Sequence, residues 1–169
     1  VSEFKKQLAK AEEGDAIAQY ELAQMYYYGT GVQQDYKQAI QWYERSAQAR
    51  YLPAQLDLGL FYVKGEKITK DLDRAKFWLE KAAEQNSREA QHSLGYMYYM
   101  GEGFEKDYIK ALSWFEKAAL QDTQTPKMLW ETCIQTVLAL IRIIKKDCTG
   151  TKKVWNKVMQ LVIAKWDDT

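Results

Sequence analysis

The chain repeats itself every 36 residues: AQYELAQMYYYG, AQLDLGLFYVKG and AQHSLGYMYYMG begin at Ala18, Ala54 and Ala90. Equal spacing twice over marks one supersecondary unit copied in tandem. A unit this short cannot bury its own apolar face, so neighbouring copies must cover one another, and the architecture is confined to a quasi-one-dimensional stack. The copies share Leu22, Leu58 and Leu94; Tyr26, Tyr62 and Tyr98; Gly29, Gly65 and Gly101; Asp35, Asp71 and Asp107; Ala39, Ala75 and Ala111; Trp42, Trp78 and Trp114; and Ala47, Ala83 and Ala119.

Each shared position has a physical task. Ala18, Leu22, Met25, Tyr26 and Gly29 follow the spacing of one buried helical stripe. Gly29 then ends that helix, because the residue after a helix terminus commonly turns left-handed, which glycine does without strain. Asp35 is expected to open the next helix by accepting from first-turn amides, with Gln38 at the capping-box position. Ala39, Trp42, Tyr43, Ser46 and Ala47 form the apolar face of this second helix, the alanines permitting close approach. The expected fold is all-α, a right-handed α-solenoid of antiparallel helix pairs in one domain over 1–169, with repeats at 16–50, 52–86 and 88–122. Lys67 stands where the other copies have Gly31 and Gly103, which predicts a locally different turn in copy two.

Both ends read as modified units with helical caps. Residues 1–14 resemble a truncated second helix, Ala11 lying 36 before Ala47. A degenerate fourth repeat and capping helices are expected over 124–169, with Trp130 at the Leu94 position and Val137 replacing the terminating glycine. A helix that runs on to about Lys146 and is covered by another from Thr151 to Trp166 favours a monomer over a homodimer built on 126–166.

The formal net charge of +1 gives no ground for a nucleic-acid or anionic-membrane partner. The longest apolar run, VLALI at 137–141, is far short of the ~20 residues that span a bilayer. The sequence starts at Val1 without a basic-then-apolar leader, which fits either a protein that has none or one whose leader has been removed, so the N-terminus itself gives no location. Two cysteines are too few for a disulfide scaffold. On one helix Cys133 and Cys148 would lie roughly 20 Å apart at ~1.5 Å per residue, so free thiols and a cytoplasmic location are expected.

Gly-x-Gly at Gly29–Gly31 and Gly101–Gly103 invites a phosphate-loop reading. Such a loop needs a preceding strand and an anion at the following helix N-terminus; here a helix precedes, and Asp35 or Asp107 holds the anion's place. His92 is the only histidine, and neither Cys133 nor Cys148 has a base beside it in sequence. Ser2–Lys5 matches a Ser-x-x-Lys pattern without the rest of that signature. Glu44, Glu80 and Glu116 read as solvated helix faces. No catalytic residue, metal ligand or cofactor is therefore expected.

Over residues 16–120 the pattern AxxxLxxxYxxG, a glycine-bearing turn, Asp, then AxxWxxxAA resembles the Sel-1-like repeat, a relative of the tetratricopeptide repeat. The resemblance implies that the first helices line a concave groove. It maps that groove onto Tyr20, Gln24, Tyr27 and Tyr28 in copy one; Leu56, Leu60, Val63 and Lys64 in copy two; and His92, Tyr96, Tyr99 and Met100 in copy three. None of these is acidic and five are tyrosine, the composition of a protein-binding surface. Tyr28, Lys64 and Met100, at helix ends, are expected to face solvent, whereas Tyr20, Leu56 and Val63 also suit packing of copy on copy. The implied function is a non-enzymatic adaptor or scaffold binding a partner protein or peptide; the alternative is an inhibitor or immunity protein neutralising a bacterial toxin.

Overall fold

The computed structural model describes residues 3–121, and among these it holds seven α-helices and no strand. They are α1 (Glu3–Glu12), α2 (Ala16–Tyr28), α3 (Tyr36–Gln48), α4 (Leu52–Lys64), α5 (Leu72–Glu84), α6 (Arg88–Met100) and α7 (Tyr108–Ala119). The expected helices of 124–169, with Cys133 and Cys148, lie outside the described residues. The chain divides into two compact units, Val1–Ala90 and Gln91–Thr169.

In the first unit the loop within each helix pair is built by the residues the repeat keeps, while the cap before each pair varies from copy to copy. Asp15 opens α2, its carboxylate accepting from the amides of Ile17 (2.9 Å) and Ala18 (3.2 Å). Gly29 closes it at φ 72°, donating its N–H to the Met25 carbonyl. Asp35 then does two things at once. Its carboxylate accepts from Lys37 N (2.9 Å) and Gln38 N (3.0 Å), while its own N–H reaches back to the Tyr26 carbonyl at 2.9 Å. That second bond corrects the capping-box expectation: the N–H that the Gln38 side chain would have taken is already spent on closing the loop. Asp71 closes the next loop on Tyr62 in the same way, at 3.1 Å. Lys67 does not share the left-handed conformation of Gly31 (φ 73°), so the copy-two turn does differ, yet the Asp71 closure survives the change.

The pairs are antiparallel. The hydroxyl of Ser46, late in α3, donates to the carbonyl of Ala16, at the start of α2, at 2.6 Å. The predicted stripe of α3 is buried throughout, from Ala39 through Trp42, Tyr43 and Ser46 to Ala47, and α5 repeats it with Ala75, Trp78, Leu79, Ala82 and Ala83. Leu22, Leu58 and Leu79 are fully buried, each contributing about 1.5–3 kcal/mol relative to exposure. Tyr26, expected in the core, is instead half-buried with its ring edge against Phe4 at 5.6 Å. Phe4 comes from the truncated end unit, which cannot cover Tyr26 as a full repeat would.

α1 stands to α2 as α3 stands to α4. Gln19 Nε2 donates to the Ala11 carbonyl at 3.0 Å, and Gln55 Nε2 donates to the Ala47 carbonyl at 2.9 Å. The connections after α1, α3 and α5 each pass through a left-handed residue at one repeat position: Gly14 (φ 98°), Arg50 (φ 64°) and Asn86 (φ 68°).

The second unit follows the same rules. Gly101 (φ 75°) ends α6, Asp107 N–H closes on the Tyr98 carbonyl at 3.1 Å, and the Asp107 carboxylate caps α7 through Ile109 N and Lys110 N, both at 3.0 Å. Leu94 and Met97 are buried, and Gly95 lets Phe115 approach so closely that a Cβ there would sit 2.8 Å from the ring. No helix among the described residues is long and apolar enough to cross a membrane.

Candidate protein-binding site

In the first unit α2 and α4 lie side by side, joined by the side chains that the groove pattern singled out. The Tyr20 hydroxyl donates to Oδ2 of Asp57 at 2.9 Å, and the Tyr27 ring stacks on Phe61 at 4.9 Å, nearly parallel. Edge contacts extend these into one run of rings. Tyr51 meets Tyr20 (5.3 Å), Tyr20 meets Tyr43 (5.5 Å), Tyr43 meets Phe61 (5.5 Å), and beyond Phe61 Tyr27 meets Tyr28 (5.0 Å). Contacts of this kind are worth about 0.5–1.5 kcal/mol each beyond burial, so Tyr20 and Tyr27 hold helices together as well as offering surface.

Tyr28, at the end of the run, is 67% exposed, and Lys64 is exposed as well. Gln24, Leu56, Leu60 and Val63 are half-buried. In the second unit His92 is exposed with its ring tilted against Phe115 at 5.3 Å. Tyr96 and Met100 are 47% and 44% exposed, and Tyr99 packs against Tyr108 at 5.9 Å. The helix-end residues thus face solvent as their positions implied, and Tyr20 is tied down between copies.

One residue of this face escaped the pattern. Asp57 is a half-buried carboxylate beside Tyr20, on a surface whose repeat positions contained no acid. Burial pushes its pKa above the ordinary carboxylate value, and the Tyr20 hydrogen bond only partly offsets this. The same burial, reinforced by the Asp57 charge, pushes the phenols of Tyr20 and Tyr43 far up, so both remain proton donors. A signal was present in the sequence: in LPAQLDLGLFYVK, Asp57 and Lys64 are the only charges, and Asp57 falls in the apolar middle.

One further arrangement serves structure. Glu44, expected on a solvated face, accepts from the Tyr62 hydroxyl at 3.0 Å and from Arg74 Nη1 at 3.2 Å, and Arg74 Nη1 also donates to the Tyr62 oxygen at 2.9 Å. This latch joins α3, α4 and α5. Among the described residues no group of His, Cys, Asp and Glu is arranged to hold a metal ion.

The Sel1 repeat pattern matches residues 16–51, 52–87 and 88–122, well over half of the chain. The chain belongs to the Sel1 repeat family. Sel1 repeats generally mediate protein–protein interaction. Among solved structures, a Sel1 repeat protein of Oxalobacter formigenes is 32% identical, with a TM-score of 0.67, the match covering 80% of this chain and 99% of that one. A protective antigen of uropathogenic Escherichia coli with an SLR fold is 37% identical with a TM-score of 0.68; the match covers 73% of this chain but spans only 26% of the antigen's length. The cysteine-rich protein B of Helicobacter pylori, 24% identical with a TM-score of 0.53 over 73% of this chain and 93% of that one, shares the fold. These are solenoid proteins, the class that the 36-residue period implied. No curated protein matches the chain.

Proposed function

We propose that the chain is a non-catalytic protein-binding module that holds a peptide segment or loop of its partner against the first-helix faces. In the first unit that face is α2 and α4, with Tyr20, Gln24, Tyr27, Tyr28, Leu56, Leu60 and Lys64; in the second it is α6, with His92, Tyr96, Tyr99 and Met100. The observation that carries the proposal is the run of rings across α2 and α4 that ends in solvent at Tyr28. A packed aromatic base with an exposed aromatic tip offers large contact area at little entropic cost, because most of its rotamers are fixed before binding.

The test is partner capture with the full chain carrying Tyr28→Ala, Tyr96→Ala and Met100→Ala. Phe77→Ala, which removes a 51% exposed ring from the second-helix series, is the control. Binding should fall on the face variants and persist in the control. Equal capture by all of them discards the face.

A further inference from the structure

Asp57 is poorly served by its own protein. Its carboxylate is half-buried on α4, accepts one hydrogen bond, from the neutral Tyr20 hydroxyl, and has no ion-pair partner among the described residues. Other acids of the first unit are placed differently: Asp15, Asp35 and Asp71 cap helices, and Glu44 is paired with Arg74. A carboxylate withdrawn from water normally recovers its desolvation cost from a cation or several donors. Here the ring of Tyr20 adjoins it, with the ring of Tyr51 set against Tyr20, and the phenols of Tyr43 and Tyr27 lie close enough to sense the Asp57 charge.

A second sacrifice of stability falls at the same spot. Asp15 and Ser87 accept from amides of the α2 and α6 first turns, but at the equivalent position before α4 the chain has Tyr51, which makes no side-chain cap. Tyr51 instead sets its ring edge on Tyr20 at 5.3 Å. A cap is thus forgone and a carboxylate is held without a countercharge, both beside Tyr20. Native proteins retain such local costs where function needs them.

We propose that Asp57 and the tyrosines around it are the recognition point for one basic side chain, arginine or lysine, of the partner segment that lies on the α2/α4 face. The carboxylate supplies the countercharge through the oxygen that Tyr20 leaves open. The half-buried rings of Tyr20, Tyr27 and Tyr51 accept the cation, a pairing that strengthens when water is excluded, while Tyr43 lies fully buried behind them. The inference rests on the protein-binding function proposed above and adds the chemistry of the bound segment.

The experiment is selection of peptides from a random ten-residue display library on the full chain, on Asp57→Asn, and on the Tyr27→Ala, Tyr28→Ala double variant. Asn keeps the size of Asp57 and an acceptor for Tyr20, so the fold is retained while the charge is lost. The expected result is peptides with Arg or Lys fixed at one position. Their Kd should rise about tenfold or more on Asp57→Asn, and the preference should weaken with added salt. Peptides that need Tyr27 and Tyr28 but carry no fixed basic residue, or that bind Asp57→Asn equally well, overturn the Asp57 assignment and leave the binding face standing. If no selected peptide loses affinity on the tyrosine double variant, both proposals fall.

Discussion

Gln85 donates its side-chain amide to Oε1 of Gln55 at 2.7 Å, and 36 residues further on Gln121 makes the same bond to Gln91, also at 2.7 Å. Copy one has the acceptor without the donor: the counterpart of Gln85 is Ala49, and Oε1 of buried Gln19 has no hydrogen-bond partner. Ala49→Gln should therefore supply the missing bond. A satisfied neutral hydrogen bond contributes about 1 kcal/mol net, and relief of a buried orphan acceptor works in the same direction. A rise in Tm of about 3 °C is expected for a chain of this size. Ala49→Met, which adds length but no amide, serves as the control; an equal rise in both would assign the gain to packing.

Gly59 and Gly95 occupy the same repeat position, but the two should respond differently to alanine. A Cβ at Gly59 would lie 2.6 Å from Leu79 Cγ and 2.7 Å from Leu79 Cδ2, and Leu79 is fully buried with nowhere to move. Overpacking of that kind costs about 1–3 kcal/mol, more than the ~1 kcal/mol that alanine gains over glycine in helix propensity. Gly59→Ala should lower the urea midpoint. At Gly95 the obstacle is the edge of the half-buried Phe115 ring, at 2.8 Å, which has room to swing. Gly95→Ala should fall closer to neutral, and a larger loss there than at Gly59 would contradict this ranking.

Arg50 adopts φ 64° where the equivalent residues are Gly14 and Asn86. The left-handed region costs a residue with a Cβ roughly 1–2 kcal/mol, against roughly 0.5–1 kcal/mol for the extra chain entropy that glycine loses on folding. Arg50→Gly should stabilise by up to about 1 kcal/mol, and Arg50→Asn by less. Equilibrium denaturation decides it; destabilisation by both substitutions would mean that the Arg50 side chain contributes more than its backbone costs.

These positions also show where the sequence was informative. Glycine at 29, 65 and 101, and aspartate at 35, 71 and 107, announce the helix ends, because few residues can turn left-handed or cap without strain. The left-handed turn at Arg50 was silent, since nothing about arginine signals it. Tyr28 and Met100 were correctly placed in solvent by their positions at helix ends, within a set of residues that the family resemblance mapped. The Tyr20–Asp57 bond joins residues 37 apart and depends on how two helices lie against each other, which periodicity within one helix cannot report. Glu44 went astray for the same reason: its partners Tyr62 and Arg74 come from the next copy.

Asp57 also yields a prediction about pH. Burial raises its folded-state pKa above the unfolded value, so the folded protein binds that proton more tightly. The resulting stabilisation is fully present below the ordinary carboxylate range and is lost as pH rises through the folded-state pKa. The phenols of Tyr20, Tyr27 and Tyr43 around it have raised pKa values and stay neutral across this window, and no described cation pairs with the carboxylate. Asp57→Asn cannot make the transition, while every other carboxylate is common to both proteins and cancels in the comparison. The Tm of Asp57→Asn relative to the parent should therefore increase from pH 3 to pH 7, with the variant the more stable at neutral pH. A constant difference across that range, or a variant less stable at pH 7, would mean that the charge is compensated within the fold. If Asp57 instead serves a basic side chain of the partner, the same substitution should strengthen the fold and weaken binding, two effects that a purely structural carboxylate would not separate.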